Sequence, residues 1–168
     1  MKVTLASQTY KCCVGQRDLY AYPSQILCLT EMVHFTKHIE SSIEHNSPGL
    51  QNVIATVKGD LQELTSLSKD DNLVYCKAQA LILDLIHNMQ VAEELAQQRV
   101  NHTSQWPWFK QLRYYLKEQA VDVKMLDAKQ MYTFEYLGNA PKLVHTPLTD
   151  KCYLTLMHGL CLGYGGNP

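Results

Sequence analysis

Glu31, His34, His38 and His45 share one polar face of a helical stretch, and His34 and His38 stand four residues apart. Two imidazoles at that spacing can chelate one divalent ion. The glutamate-then-histidine order of a metalloprotease helix is absent, because Phe35-Thr36-Lys37 separates the pair, and the Lys37 ammonium opposes a cation. A solvated histidine-rich face is the expected reading, and no metal site is expected. Six cysteines stand at 12, 13, 28, 76, 152 and 161, none with the two-residue gap of a zinc knuckle or a redox pair. They read as reduced, partly buried thiols. Asn101-His102-Thr103 fits the glycosylation pattern, but a helix-capping role is the expectation for it. Serines and carboxylates occur with no spacing that proposes a triad or an acid–base pair, so no catalytic residue is assigned. Trp106-Pro107-Trp108-Phe109 reads as core before it reads as a binding platform. Gly163, Gly165 and Gly166 lie near the carboxyl end, and no Gly-Lys-Ser/Thr follows them to cradle a phosphate.

The elements that position these residues are mostly helical. From Pro23, apolar residues Cys28, Met32, Phe35, Ile39 and Ile43 recur at steps of three or four, with Ile26, Leu29 and Val33 widening the stripe. Ser47 is placed to cap a second helix with Pro48 at its first position, and Val53, Val57, Leu61, Leu64 and Leu67 form its face. After a polar turn at 69–72, Val74, Ala78, Leu81, Leu85, Met89, Ala92 and Leu95 describe a rod of roughly 40 Å at 1.5 Å per residue. Thr103-Ser104 is read as the cap of a shorter helix from Gln105 to about Lys117. The period then falls to two. Val121, Val123 and Met125 alternate with polar residues, as do Tyr132, Phe134 and Tyr136, which predicts a β-hairpin joined at 127–130. Residues 137–141 read as a loop and 143–145 as extended. Thr146 caps a last helix with Pro147 first and Asp150 in its opening turn, its inner stripe being Cys152, Leu156 and Leu160. Residues 1 to 20 show no clear period.

Composition narrows the functions. Fifteen basic against sixteen acidic residues leave a formal charge of −1, too little positive charge for a phosphate backbone, so no nucleic-acid partner is expected. No apolar run reaches the ~18 to 20 residues that cross a bilayer, so no membrane insertion is expected. The opening Met1–Ala6 is too short for a secretory signal, which points to the cytosol.

Three stretches carry a resemblance. Trp108-Phe109-Lys110-Gln111-Leu112-Arg113-Tyr114-Tyr115, Tyr132-Thr133-Phe134-Glu135-Tyr136-Leu137-Gly138-Asn139 and Leu143-Val144-His145-Thr146-Pro147-Leu148-Thr149-Asp150-Lys151-Cys152-Tyr153 resemble the dynein heavy chain where its linker passes into the first AAA+ module. Tyr22–Leu29 resembles the linker segment upstream, and the spelling is closest to the subclass that drives intraflagellar transport. The resemblance implies a mainly α fold: long antiparallel linker-type helices, then a small β-hairpin and the N-terminal stub of an AAA+ α/β module. It implies an unmatched segment at 1–19, a helical linker-like region at 20–120, and a hairpin with an incomplete module at 121–168.

The implied function is that of a fragment of an ATP-driven, minus-end-directed microtubule motor of cilium assembly. It stops before the P-loop and is by itself neither a motor nor expected to hydrolyse ATP. Leu143, Val144, Thr146, Pro147 and Leu148 are implied to form the strap on the adenine side of the first nucleotide site. ATP or ADP with Mg²⁺ is the parent family's cofactor, and none is expected to bind tightly here. The implied partners are the rest of the heavy-chain ring, the dynein complex and microtubules; the implied location is cytoplasm, cytoskeleton and cilium. Two other readings stand beside this one: a free-standing helical protein-interaction module, and a small metal-dependent enzyme using His34 and His38.

Overall fold

The computed structural model describes residues 1–15, 17–45, 49–68, 70–138 and 142–166. At its centre lies α2 (Ser24–His45), which touches α1 (Lys2–Val14), α3 (Leu50–Thr65), α4 (Asn72–Gln97) and strand β1 (Arg113–Lys117). Neighbours on so many sides explain its width of burial. Ile26, Leu27, Leu29, Thr30, Val33, Phe35, Thr36, Ile39 and Ile43 are all buried, more than a single helical stripe can carry. The α3 stripe is narrower, with Val53, Val57 and Leu64 buried. Gly49 precedes α3 at φ 71°, a backbone setting open to glycine. The expected cap Ser47 and first-turn Pro48, Lys69 of the polar turn and Asn139–Pro141 of the loop lie outside the described residues.

Helix α4 is the expected rod. The Asp71 carboxylate caps it, accepting from the backbone N–H of Leu73 at 2.9 Å and of Val74 at 3.1 Å. Its apolar stripe is buried at Val74, Ala78, Leu81, Leu85, Ala92 and Leu95. Polar residues are buried on it too. Lys77 Nζ donates to the Leu19 carbonyl at 2.8 Å, and Asn88 Nδ2 donates to Glu31 Oε1 at 3.4 Å.

Two stretches outside the expected hairpin depart from their expected structure. Residues 2–14 form α1, burying Leu5, Thr9 and Cys12 at helical spacing. Thr9 hides this period because a threonine reads as polar, yet its hydroxyl donates to the Leu5 carbonyl at 2.9 Å and so enters the core satisfied. The helix expected from Gln105 to Lys117 is instead one turn, α5 (Trp106–Phe109), followed directly by β1. Its N-cap is Gln105 rather than Ser104, and Gln105 Oε1 accepts from the N–H of Asn101 and of His102. The carbonyl of Phe109 then accepts from Leu126 N–H at 3.0 Å, and Tyr114 N–H donates to Thr36 Oγ1 at 3.0 Å. Tertiary hydrogen bonds thus claim the groups a longer helix would use.

The sheet has three antiparallel strands in the order β1-β2-β3, with β2 at Ala120–Met125 and β3 at Ala128–Met131. Register runs from Arg113 opposite Lys124 to Lys117 opposite Ala120, and from Asp122 opposite Met131 to Met125 opposite Ala128. Both connections have two residues, and the first of each, Glu118 or Leu126, takes positive φ. The expected second hairpin strand, 132–136, is not a strand. Phe134 sits at φ 50°, which breaks the extended run. Gln25 holds this segment against α2, donating to Tyr132 Oη at 3.0 Å and the Glu135 carbonyl at 2.7 Å while accepting from Leu137 N–H at 3.3 Å. The last helix, α6 (Pro147–Cys161), touches β3 and β2 and buries none of its residues.

Candidate functional site: the strap and the helix it opens

Residues 142–149 run from the α4 rod into α6. Lys142 Nζ forms an ion pair with Asp84, a carboxylate 2 % exposed on α4. This fixes the start of the strap. Its far end is fixed by the expected cap. Thr146 Oγ1 accepts from Thr149 N–H at 3.2 Å, Thr149 Oγ1 accepts from Thr146 N–H at 2.8 Å, and Pro147 opens the helix. Thr146, Pro147, Leu143, Val144 and Leu148 are all exposed. Leu143 and Leu148 stand at 60 % and 71 % exposure, so apolar side chains face outward on both sides of His145 along the strap.

Of the expected inner stripe of α6, Leu156 and Leu160 face the sheet but stay partly uncovered, and Cys152 is exposed. Between α6 and the sheet lies a groove of about 320 Å³ lined by Tyr114, Val123, Tyr132, Tyr153, Leu156 and Leu160. The helix ends where Gly163 takes φ 79° and Tyr164 N–H reaches the Gly159 carbonyl at 2.8 Å.

Between Lys142 and Thr146 one strap residue turns inward. His145 stacks on His87 of α4 with ring centroids 4.0 Å apart and planes 14° from parallel, and the Tyr153 ring lies 6.0 Å away. Burial pushes His87 down to about 4, with the neighbouring His145 and Lys142 adding to the effect; burial also lowers His145 and raises Asp150. Sequence spacing gives no hint of this cluster, since His87 and His145 lie on elements far apart in the chain.

His34 and His38 are arranged otherwise. Their rings stack at 6.3 Å, and His34 Nε2 lies 3.0 Å from the Cys13 carbonyl, a donor's position rather than a ligand's. Beside them Arg17 reaches Glu31 at 3.1 Å and Asp60 at 3.5 Å. Burial raises Glu31 despite the Arg17 guanidinium. Among the described residues no third ligand joins this pair; the group with metal-ligand spacing is His87, His145 and Asp150. The paired tryptophans divide: Trp108 is buried against Phe35 with Nε1 donating to Glu40 at 3.2 Å, while Trp106 is 59 % exposed.

An exposed apolar strap thus feeds a capped helix at the edge of a small sheet and is pinned to a long rod. Residues 132–168 match the family described as the hydrolytic ATP binding site of the dynein motor region. The whole chain is homologous to a segment of the dynein heavy chain. Its similarity to cytoplasmic dynein 2 heavy chain 1 extends over its whole length. It is 46% identical over 172 residues to that protein of Chlamydomonas reinhardtii and 42% identical over 184 residues to that of Homo sapiens, each alignment covering 100% of this chain and 4% of the relative. The human dynein axonemal heavy chain 12 is 32% identical over 150 residues, covering 88% of this chain and 5% of that protein. The chain thus spans about 4% of the length of the cytoplasmic relatives it matches, including residues 1–19, and is similar to a segment of the motor region. No helix among the described residues is long and apolar enough to cross a membrane.

Proposed function

We propose that this chain supplies a dynein heavy chain with the end of its linker lever and with the adenine-side strap of the first AAA+ site. Residues 20–120 are the lever part and 121–168 the start of the module, with β1 on the lever side pairing directly with β2. The observation that carries this reading is the outward apolar edge of Leu143, Val144 and Leu148, within the span that matches a dynein ATP site. Aliphatic side chains there offer area to a flat purine, and backbone groups around Thr146 and Pro147 can meet its edge. The residues present suit the adenine half of a nucleotide site only. The sequence holds no Gly-Lys-Ser/Thr, so the amides, lysine and Mg²⁺ that take phosphate charge must come from elsewhere in the heavy chain.

In that assembly ATP is the cofactor, the remainder of the ring and the dynein complex are partners, and microtubules are the track. The working location is the cytoplasmic cytoskeleton and the cilium. A free-standing helical interaction module is the less favoured reading, because a self-sufficient adaptor would close its core over α6. The test is made in the full-length heavy chain. Substituting Val144→Asp and Leu148→Asp is expected to raise the KM for ATP at least about tenfold, the cost of placing charge against a purine. An unchanged KM overturns the assignment. The 168-residue chain alone is expected to show no micromolar ATP binding by calorimetry.

A further inference from the structure

We infer that His87, His145 and Asp150 form a binding site for a divalent transition-metal ion of the zinc class, which ties the α4 rod to the strap and to the first turn of α6. One ligand atom from each residue lies within 4.8 Å of the others, although the three come from different parts of the fold. Tetrahedral zinc with bonds of about 2.0–2.1 Å holds its donors about 3.4 Å apart, so the side chains need close by only about an ångström. The chemistry of the set suits that ion. Two imidazole nitrogens are borderline donors that select zinc, cobalt or nickel over magnesium and calcium, a carboxylate oxygen is a third ligand that zinc accepts, and three protein ligands leave a fourth position for water.

One further observation points to a ligand. His145 Nδ1 is buried and has no hydrogen-bond partner, an orphaned nitrogen at the centre of the cluster. The nearest competing cation, Lys142, is occupied by Asp84, and Lys110 is paired with Glu94 at 3.0 Å. The stacked rings lie face to face, so ligation requires them to turn until both lone pairs converge on the ion; that rotation accompanies the closure described above. The inference goes beyond the adenine reading, which uses the outward-facing neighbours of His145.

Titration of the full chain with Co²⁺ tests it. Visible d–d bands of a tetrahedral site should appear and saturate at one equivalent, without the near-ultraviolet charge transfer that a thiolate ligand gives. Zn²⁺ should bleach the bands. His87→Gln, His145→Gln and Asp150→Asn should each weaken binding at least about tenfold while far-ultraviolet circular dichroism is retained. The His34→Gln/His38→Gln double variant should bind as the parent does. Four results overturn the site: no saturable binding at micromolar metal, thiolate charge transfer from the exposed cysteines, loss in the His34/His38 variant, or unaltered affinity in all three ligand variants.

Discussion

At the scale of single residues, burial sets reactivity. Cys28 is pushed up to about 11 by burial, and burial also raises Cys12 and Cys13, whereas Cys76, Cys152 and Cys161 are exposed. A thiol reagent at neutral pH is therefore expected to modify 76, 152 and 161 in the native chain and 12, 13 and 28 only after denaturation. Mass spectrometry of the labelled peptides checks it, and rapid labelling of Cys28 would contradict the packing around α2. Asp122 provides a second residue-scale test. Lys129 at 3.0 Å and Lys117 at 3.2 Å hold its carboxyl below the ordinary range. A depressed folded value means the pair stabilises the chain above the unfolded carboxyl's pKa of about 3.9 and loses that contribution as pH falls through the lower folded value. The urea midpoint of Asp122→Asn should lie below that of the parent at neutral pH, and the gap should close on acidification.

At the scale of elements, packing decides which tryptophan matters. Trp108→Ala removes a fully enclosed side chain and its hydrogen bond to Glu40, and should cost about 3–5 kcal/mol. Trp106→Ala should change stability by no more than about 0.5 kcal/mol, since that ring faces outward. Chemical denaturation of the two variants separates them. The rods α2, α3 and α4 and the capped start of α6 were legible in the sequence because each repeats its apolar residues over several turns or opens with a cap and a proline. The β1 strand was not. Trp108, Phe109, Leu112, Tyr115 and Leu116 satisfy a helical spacing, while Arg113–Lys117 places Tyr114-Tyr115-Leu116 in a row and so lacks the alternation that marks a strand. The bond from Tyr114 N–H to Thr36, remote in sequence, resolves the choice. Tyr132, Phe134 and Tyr136 failed the other way, having the alternation of a strand but the Gln25 clamp and a left-handed Phe134 in place of a ladder. The strap residues were legible only through resemblance, and the His87–His145–Asp150 cluster not at all, because nothing local couples a mid-rod histidine to one beyond the sheet.

At the scale of the whole molecule, stability is unevenly distributed. The cluster of buried residues joins α1 to α5 with the sheet, and α6 adds none to it. Hydrogen exchange should therefore show amides of α4 around Leu81–Leu85 opening only with global unfolding, and those of α6 opening at far lower free energy. Thr146→Ala removes the reciprocal cap and should speed exchange in α6 by about five- to tenfold, matching about 1 kcal/mol, with α4 unchanged. Equal protection of both helices would show that α6 is bound more firmly than its exposure allows.

The Gln25 clamp on residues 132–137 and the Asp84–Lys142 pair anchor the chain as it leaves the sheet and again where the strap begins. Gln25 belongs to α2 and Asp84 to α4, so the two anchors are pegged to neighbouring beams. A slide of one beam past the other would therefore be felt at both pegs at once, and through Lys142 by the peptide that enters the last helix.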